Sequence, residues 1–188
     1  MKQSELIKTL SKQELKKALL FSQLLFLVIG LLLSFILFDS LLDWFDYFKV
    51  EPIQILYYGV IPGLIIVMVD ILLMEVFPKR YLDDGGMNEI VFKNRTIADI
   101  FVLTLVIAIS EEALFRGVIQ TTIGFIPASI LFALVHIRYL KKPVLFISVL
   151  LMSFYIGYLF EITGNLYVTM TVHFIVNFLL GLMIRYGK

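Results

Sequence analysis

Cysteine is absent from the 188-residue sequence. That excludes a disulfide framework, a thiolate nucleophile and thiolate metal ligation, and it names no compartment. Histidine is nearly absent: His136 and His173 are the only two. Charge is scarce too, with Asp, Glu, Lys and Arg making up 16% of the chain at a formal net charge of +1. With neither a basic patch nor a nucleic-acid motif, no nucleic-acid partner is expected. Three catalytic signatures are also missing: a GxSG-like serine stretch, a GxGD aspartate motif and the HExxH of helical zinc sites.

What fills the chain is apolar. Hydrophobic residues make up 60% of it and the mean hydropathy is +0.95, well above the roughly 45–50% apolar content of soluble domains. A membrane-spanning helix needs about 20 mostly apolar residues. Six stretches qualify, near 18–38, 54–77, 98–121, 124–140, 143–160 and 165–185. Backbone groups in lipid must be paired internally, so these runs are expected to be helices. The expected fold is an all-α polytopic membrane bundle of about six transmembrane helices in a multi-pass cell membrane, read as a bacterial plasma membrane.

Lys and Arg set the orientation. Five lysines precede the first run (Lys2, Lys8, Lys12, Lys16, Lys17), and the segment lacks a small-residue cleavage site, so it reads as a cytoplasmic lead-in. Basic residues recur in the 78–97 loop, in HIRYLKKP and in the tail, whereas the intervening loops are poor in them. Every second loop is basic, which predicts both termini in the cytoplasm. Trp44, Tyr47, Tyr57, Tyr58, Tyr139 and Tyr186 fall near the expected interfaces. Asp84-Gly85-Gly86 is a turn signal. It divides residues 1–97, a lead-in with two spans and a connecting loop, from a four-helix block, 98–188.

The stretch ISEEALFRG (Ile109–Gly117) puts two carboxylates and an arginine where lipid is expected. A charge at bilayer depth costs at least about 2.5–3.5 kcal/mol, so such groups pair or line a cavity. Glu112 and Arg116 stand four apart on one helix face and suit a buried pair. Glu111 is about 100° around the helix and needs another partner. His136 falls in the fourth run, and His173 in the sixth with Asn177 one turn later. A glutamate and a histidine can activate water. A histidine and an asparagine at i, i+4 can both face one developing oxyanion. Intramembrane amide hydrolysis uses such a set. The same residues also admit interhelical hydrogen bonding without chemistry, or a zinc ion held by two histidines and a carboxylate.

EEALFRG matches EExxxR, LFALVH matches FxxxH through Phe132 and His136, and HFIVN matches HxxxN through His173 and Asn177. In order and spacing, over roughly 97–182, these resemble the CAAX-processing and bacteriocin-processing protease family (CPBP, or Abi), which includes the Ras-converting endopeptidase. The resemblance implies a glutamate-type intramembrane endopeptidase. Its candidate catalytic residues are Glu111, Glu112, His136, His173 and Asn177. Glu111 and His136 would activate the attacking water, and His173 with Asn177 would hold the oxyanion. Glu112 and Arg116 would shape the site, with Phe132 as further support. The family is often labelled metalloprotease. The expectation here is a metal-free site, with zinc on Glu111, His136 and His173 as the alternative. The expected partners are a membrane protein or peptide substrate and the lipid bilayer, with room for a partner subunit.

Two other classes stay open: a non-catalytic scaffold or bacteriocin self-immunity protein on the same fold, and a proton-coupled carrier, which would more often show inverted repeats. Depth poses a difficulty. At about 1.5 Å per residue, Glu111 and His173 each lie roughly 18 Å from the basic ends of their helices, but His136 only about 7 Å from its basic loop. A water-filled vestibule open to the cytoplasm, with Arg138 on its wall, would reconcile them. Asp70 in VMVDILLM is expected to face an aqueous crevice. Gly124, Pro127 and Gly157 are expected at kinks or close helix contacts.

Overall fold

The computed structural model describes residues 11–82, 84–140 and 142–187, without the side chains of Lys12, Lys79, Arg80 and Arg138. The first ten residues of the lead-in therefore lie outside the described residues, as does the placing of Arg138 on a vestibule wall. The described chain is all-helical. Its elements are α1 (Lys12–Leu37), α2 (Pro52–Val76), α3 (Lys79–Leu82), α4 (Met87–Phe92), α5 (97–123), α6 (Phe125–Val135), α7 (Pro143–Thr163) and α8 (Leu166–Arg185). A 3₁₀ turn, Leu41–Tyr47, joins α1 to α2. Four of these helices are long and apolar enough to cross a membrane: α1 from Gln13 on, α2, α7 and α8. Large apolar side chains such as Phe21, Leu24, Phe35, Ile65, Met68 and Leu151 stand exposed along them, as a lipid-facing surface requires.

Local chemistry sets the helix ends. Ser11 and Glu14 form a reciprocal capping box at the start of α1. Thr96 caps α5 by accepting from the Asp99 amide. Gly124, at φ +96°, breaks the chain between α5 and α6 in a conformation closed to most side chains. The expected third run is continuous, but its later part, Ala113–Gln120, is π-helical. Such widened turns are rare and tend to mark functional sites.

The fourth expected run, 124–140, is corrected. Helix α6 has only 11 residues and stops at Val135. That is about 16 Å of helix, roughly half of a bilayer's hydrocarbon core. The stop has a local cause: the His136 ring donates from Nδ1 to the Phe132 carbonyl at 2.8 Å, satisfying a group that the end of the helix leaves open. Irregular backbone at membrane depth is tolerated where it borders a cavity, and His136, Ile137 and Tyr139 line one. The helix on which the depth comparison counted thus ends at Val135, one residue before His136.

Leu15, Phe92, Ile100 and Leu103 pack with Leu182 and Ile184, so the beginning of α1 and the end of α8 meet at one end of the bundle. At the other end, Trp44, Tyr47 and Phe48 pack over Phe160, Leu166 and Met170. There Asn165 donates to the Lys49 carbonyl and the Gln54 side chain. Helix α2 crosses α8 through Gly59 and Gly63, where an added Cβ would stand 3.2 Å from Thr171 and 3.1 Å from Ile175. Two small residues four apart let the helices approach closely. Gly157 makes a similar approach, to Phe125 and Ser129, and holds α7 against α6. Helix α1 lies along α5. The division at 97/98 therefore separates where the motifs lie, while the packing runs across it.

Candidate active site

The two adjacent glutamates have opposite surroundings. Glu112 and Arg116 are both completely buried, with Oε2 and Nε 3.3 Å apart. The Arg116 guanidinium also donates to the Ser153 carbonyl and hydroxyl at 3.2 and 3.3 Å and lies 4.8 Å over the Phe132 ring. Ser153 in turn donates to the Ser129 carbonyl of α6. One guanidinium thereby ties α5, α6 and α7 together. A charge sealed this far from water persists only when paired and hydrogen-bonded.

Glu112 has a second partner. His173 Nδ1 donates to its Oε1 at 2.8 Å, linking α8 to α5. The other ring nitrogen, Nε2, stands 3.8 Å from Glu111 Oε2. Glu111 also reaches a different helix. Its Oε1 lies 3.4 Å from Gln23 Nε2 on α1, and its buried Oε2 has no hydrogen-bond partner among the described residues.

A cavity of about 1490 Å³ collects most of the expected set: Glu111, His136, His173 and Asn177 line it, as does Asp70. Asp70 is half-buried on the cavity wall and has no hydrogen bond or ion pair among the described residues. Glu112 and Arg116 are not among the lining residues and sit behind His173. Phe132 does not line it either. Its ring lies between His136 and His173, 4.9 and 5.9 Å from their centroids. The His136 Nδ1 proton is committed to a carbonyl, which can only accept. In the neutral ring Nε2 is therefore left with a lone pair that can accept from water.

Gln23 and Ser110 were not singled out in the sequence. Ser110 Oγ stands 2.5 Å from Gln23 Oε1 and is wholly buried. A lone amide in the apolar stretch FSQLLFLVIG was the available signal, because a polar side chain at membrane depth calls for a partner. Ser153, another such residue, was likewise unremarked.

The zinc alternative needs three converging donors. Among the described residues no three His, Asp or Glu side chains come together as a group that could hold a metal ion. That geometry adds no support to the zinc alternative, and the proposed reaction is written with side chains alone.

An apolar helical bundle with carboxylates, imidazoles and an amide lining one cavity defines a polytopic membrane protein with a polar centre. Residues 93–179 match the family described as type II CAAX prenyl endopeptidase, Rce1-like. The chain is 41% identical over 165 residues to the uncharacterized protein YpbD of Bacillus subtilis (strain 168), spanning 88% of this chain and 87% of that one. No solved structure matches it. The protein belongs to the CAAX-processing protease family, a family of membrane proteases.

Proposed function

We propose that the protein is an intramembrane endopeptidase that cuts peptide bonds of membrane-embedded or membrane-proximal substrates with a side-chain-activated water. One observation carries this: Glu111, His136, His173 and Asn177 open onto a single cavity, while the ion pair that holds His173 is sealed behind it.

In the proposed reaction, water hydrogen-bonds to Glu111 Oε2 and His136 Nε2. Its oxygen bonds to the scissile carbonyl carbon as its proton passes to Glu111. The carbonyl π pair moves onto oxygen, which accepts hydrogen bonds from His173 Nε2–H and the Asn177 amide. That role needs the His173 ring protonated at both nitrogens, with the Glu111 and Glu112 carboxylates together balancing its charge and that of Arg116. Collapse of the intermediate breaks the C–N bond, and Glu111 returns the proton to the leaving amine. Every proton taken from water is accounted for in the two products.

The proposal places the protein in a bacterial plasma membrane with both chain ends cytoplasmic. Its substrate is a membrane protein or peptide, and a partner subunit has room to assist access. The test compares membrane proteomes of cells expressing wild type or Glu111→Gln at matched levels. Full-length membrane proteins that accumulate in the mutant, with their fragments lost, support proteolysis. Identical proteomes with a folded, abundant mutant would remove the proposal and favour the scaffold or self-immunity class.

A further inference from the structure

Glu111 is anchored from a helix that carries none of the three family-like motifs. Gln23 of α1 is only 5% exposed and lies on the cavity wall. Its amide nitrogen is 3.4 Å from Glu111 Oε1, and its amide oxygen 2.5 Å from Ser110 Oγ. Ser110 is the residue immediately before Glu111, so one amide spans two consecutive residues of α5.

The hydrogen-bonding capacities fix the sense of this contact. A carboxylate only accepts, so the amide must present its N–H₂ to Glu111. The amide oxygen then faces Ser110, which donates to it. The Ser110 hydroxyl also has its own helix carbonyls in reach, Val106 at 2.7 Å and Ile107 at 3.1 Å. With Gln23 on Oε1, the other oxygen, Oε2, points toward His173 Nε2 and has no hydrogen-bond partner of its own among the described residues. The two oxygens of one carboxylate are thereby made unequal.

We infer that Gln23 is a positioning residue for the reaction proposed above: it holds Oε1 of Glu111 so that Oε2 is the oxygen presented to water. The inference rests on that proposed function. It gives α1 a part in the site beyond packing and explains a lone amide in an apolar span. A carboxylate free to rotate about its terminal torsion would present Oε2 only part of the time, and catalytic geometry tolerates little misplacement.

Two measurements test this on the full-length protein in detergent or liposomes. The first uses Gln23→Met, which keeps length and apolar fit but has no donor. Turnover is followed on a substrate that accumulates in Glu111→Gln cells. Loss of a hydrogen bond to a charged group predicts a kcat lower by about tenfold or more, with KM little changed. Ser110→Ala is expected to lose less, and to add nothing in the Gln23→Met background. The second measurement needs no turnover. Dicyclohexylcarbodiimide modifies carboxyl groups in apolar surroundings, and its adducts are counted by mass spectrometry. With the amide gone from Oε1, Glu111 is expected to be modified faster, with Asp70 of the same cavity as the internal reference.

Unchanged labelling in Gln23→Met overturns the contact. Changed labelling with unchanged kcat overturns the positioning role while leaving proteolysis intact. A lower thermal midpoint with kcat unchanged per folded molecule makes Gln23 interhelical glue and also overturns it. Changed labelling with no Glu111-dependent cleavage anywhere removes the proposed function itself, and with it the catalytic meaning of the contact.

Discussion

His173 donates Nδ1–H to Glu112 Oε1 at 2.8 Å, and its Nε2 stands 3.8 Å from Glu111 Oε2. Two consecutive carboxylates therefore flank one imidazole, one at each nitrogen, and only Glu111 meets the cavity. In the proposed reaction this separates the residue that acts, Glu111, from the one that holds, Glu112, although both have the same chemistry and adjacent positions.

The holding residue is tested through its cation. Arg116→Met leaves Glu112 buried without its guanidinium, still bonded to His173. Breaking a buried pair from one side costs about 3–5 kcal/mol. The thermal midpoint in detergent is expected to fall sharply, along with abundance in the membrane. The double variant Glu112→Leu/Arg116→Met should lose less than the sum of the single variants, because it strands no charge. A midpoint unmoved by Arg116→Met would remove the pair as a structural element.

Asn177 is half-buried on the cavity wall, one turn after His173. As an oxyanion donor it acts on charge that develops only in the transition state. Asn177→Ala is expected to lower kcat about 10²–10³-fold, with KM little changed. Normal turnover in a purified Asn177→Ala protein would take Asn177 out of the reaction.

Gly117 lies in the π-helical part of α5, where an added Cβ would stand 2.7 Å from Trp44 Cζ3 and 2.9 Å from Cη2. Both are ring atoms of a rigid side chain, so the 3₁₀ turn carrying Trp44 must shift. Gly117→Ala is expected to destabilise by about 1–3 kcal/mol, the usual range for overpacking. Trp44 is the chain's only tryptophan, so its emission reports the shift directly. Unchanged emission and midpoint would contradict the contact.

Because the proposed water is activated by side chains, chelation is expected to leave cleavage intact. Purified protein treated with EDTA and 1,10-phenanthroline, then freed of both, should turn over as before. Loss of activity restored by added zinc would replace the side-chain mechanism with a metal-assisted one.

Much of the fold was legible because apolar length is a local property. Runs near 18–38, 54–77, 143–160 and 165–185 are long and uninterrupted, and all four are helices. The Glu112–Arg116 pair was legible for the same kind of reason, since i, i+4 spacing fixes one face. The end of the fourth run was not. SILFALVHIRYL is apolar through its middle, and hydropathy carries no sign that a histidine ring will take the carbonyl four residues back.

The sequence by itself determined an all-helical membrane chain, the family-like motifs and the residue types available for chemistry. These depend on hydrophobicity, spacing and composition, which are read along one dimension. Only the tertiary structure decided which glutamate faces the cavity, that Glu112 holds His173 from behind, and that Gln23 reaches Glu111 from a helix 88 positions away. Those relations depend on the rotation and depth at which helices pack. Rotation and depth follow from close contacts such as Gly59 and Gly63 against α8 and from the widened turns of α5, and no single segment encodes them alone.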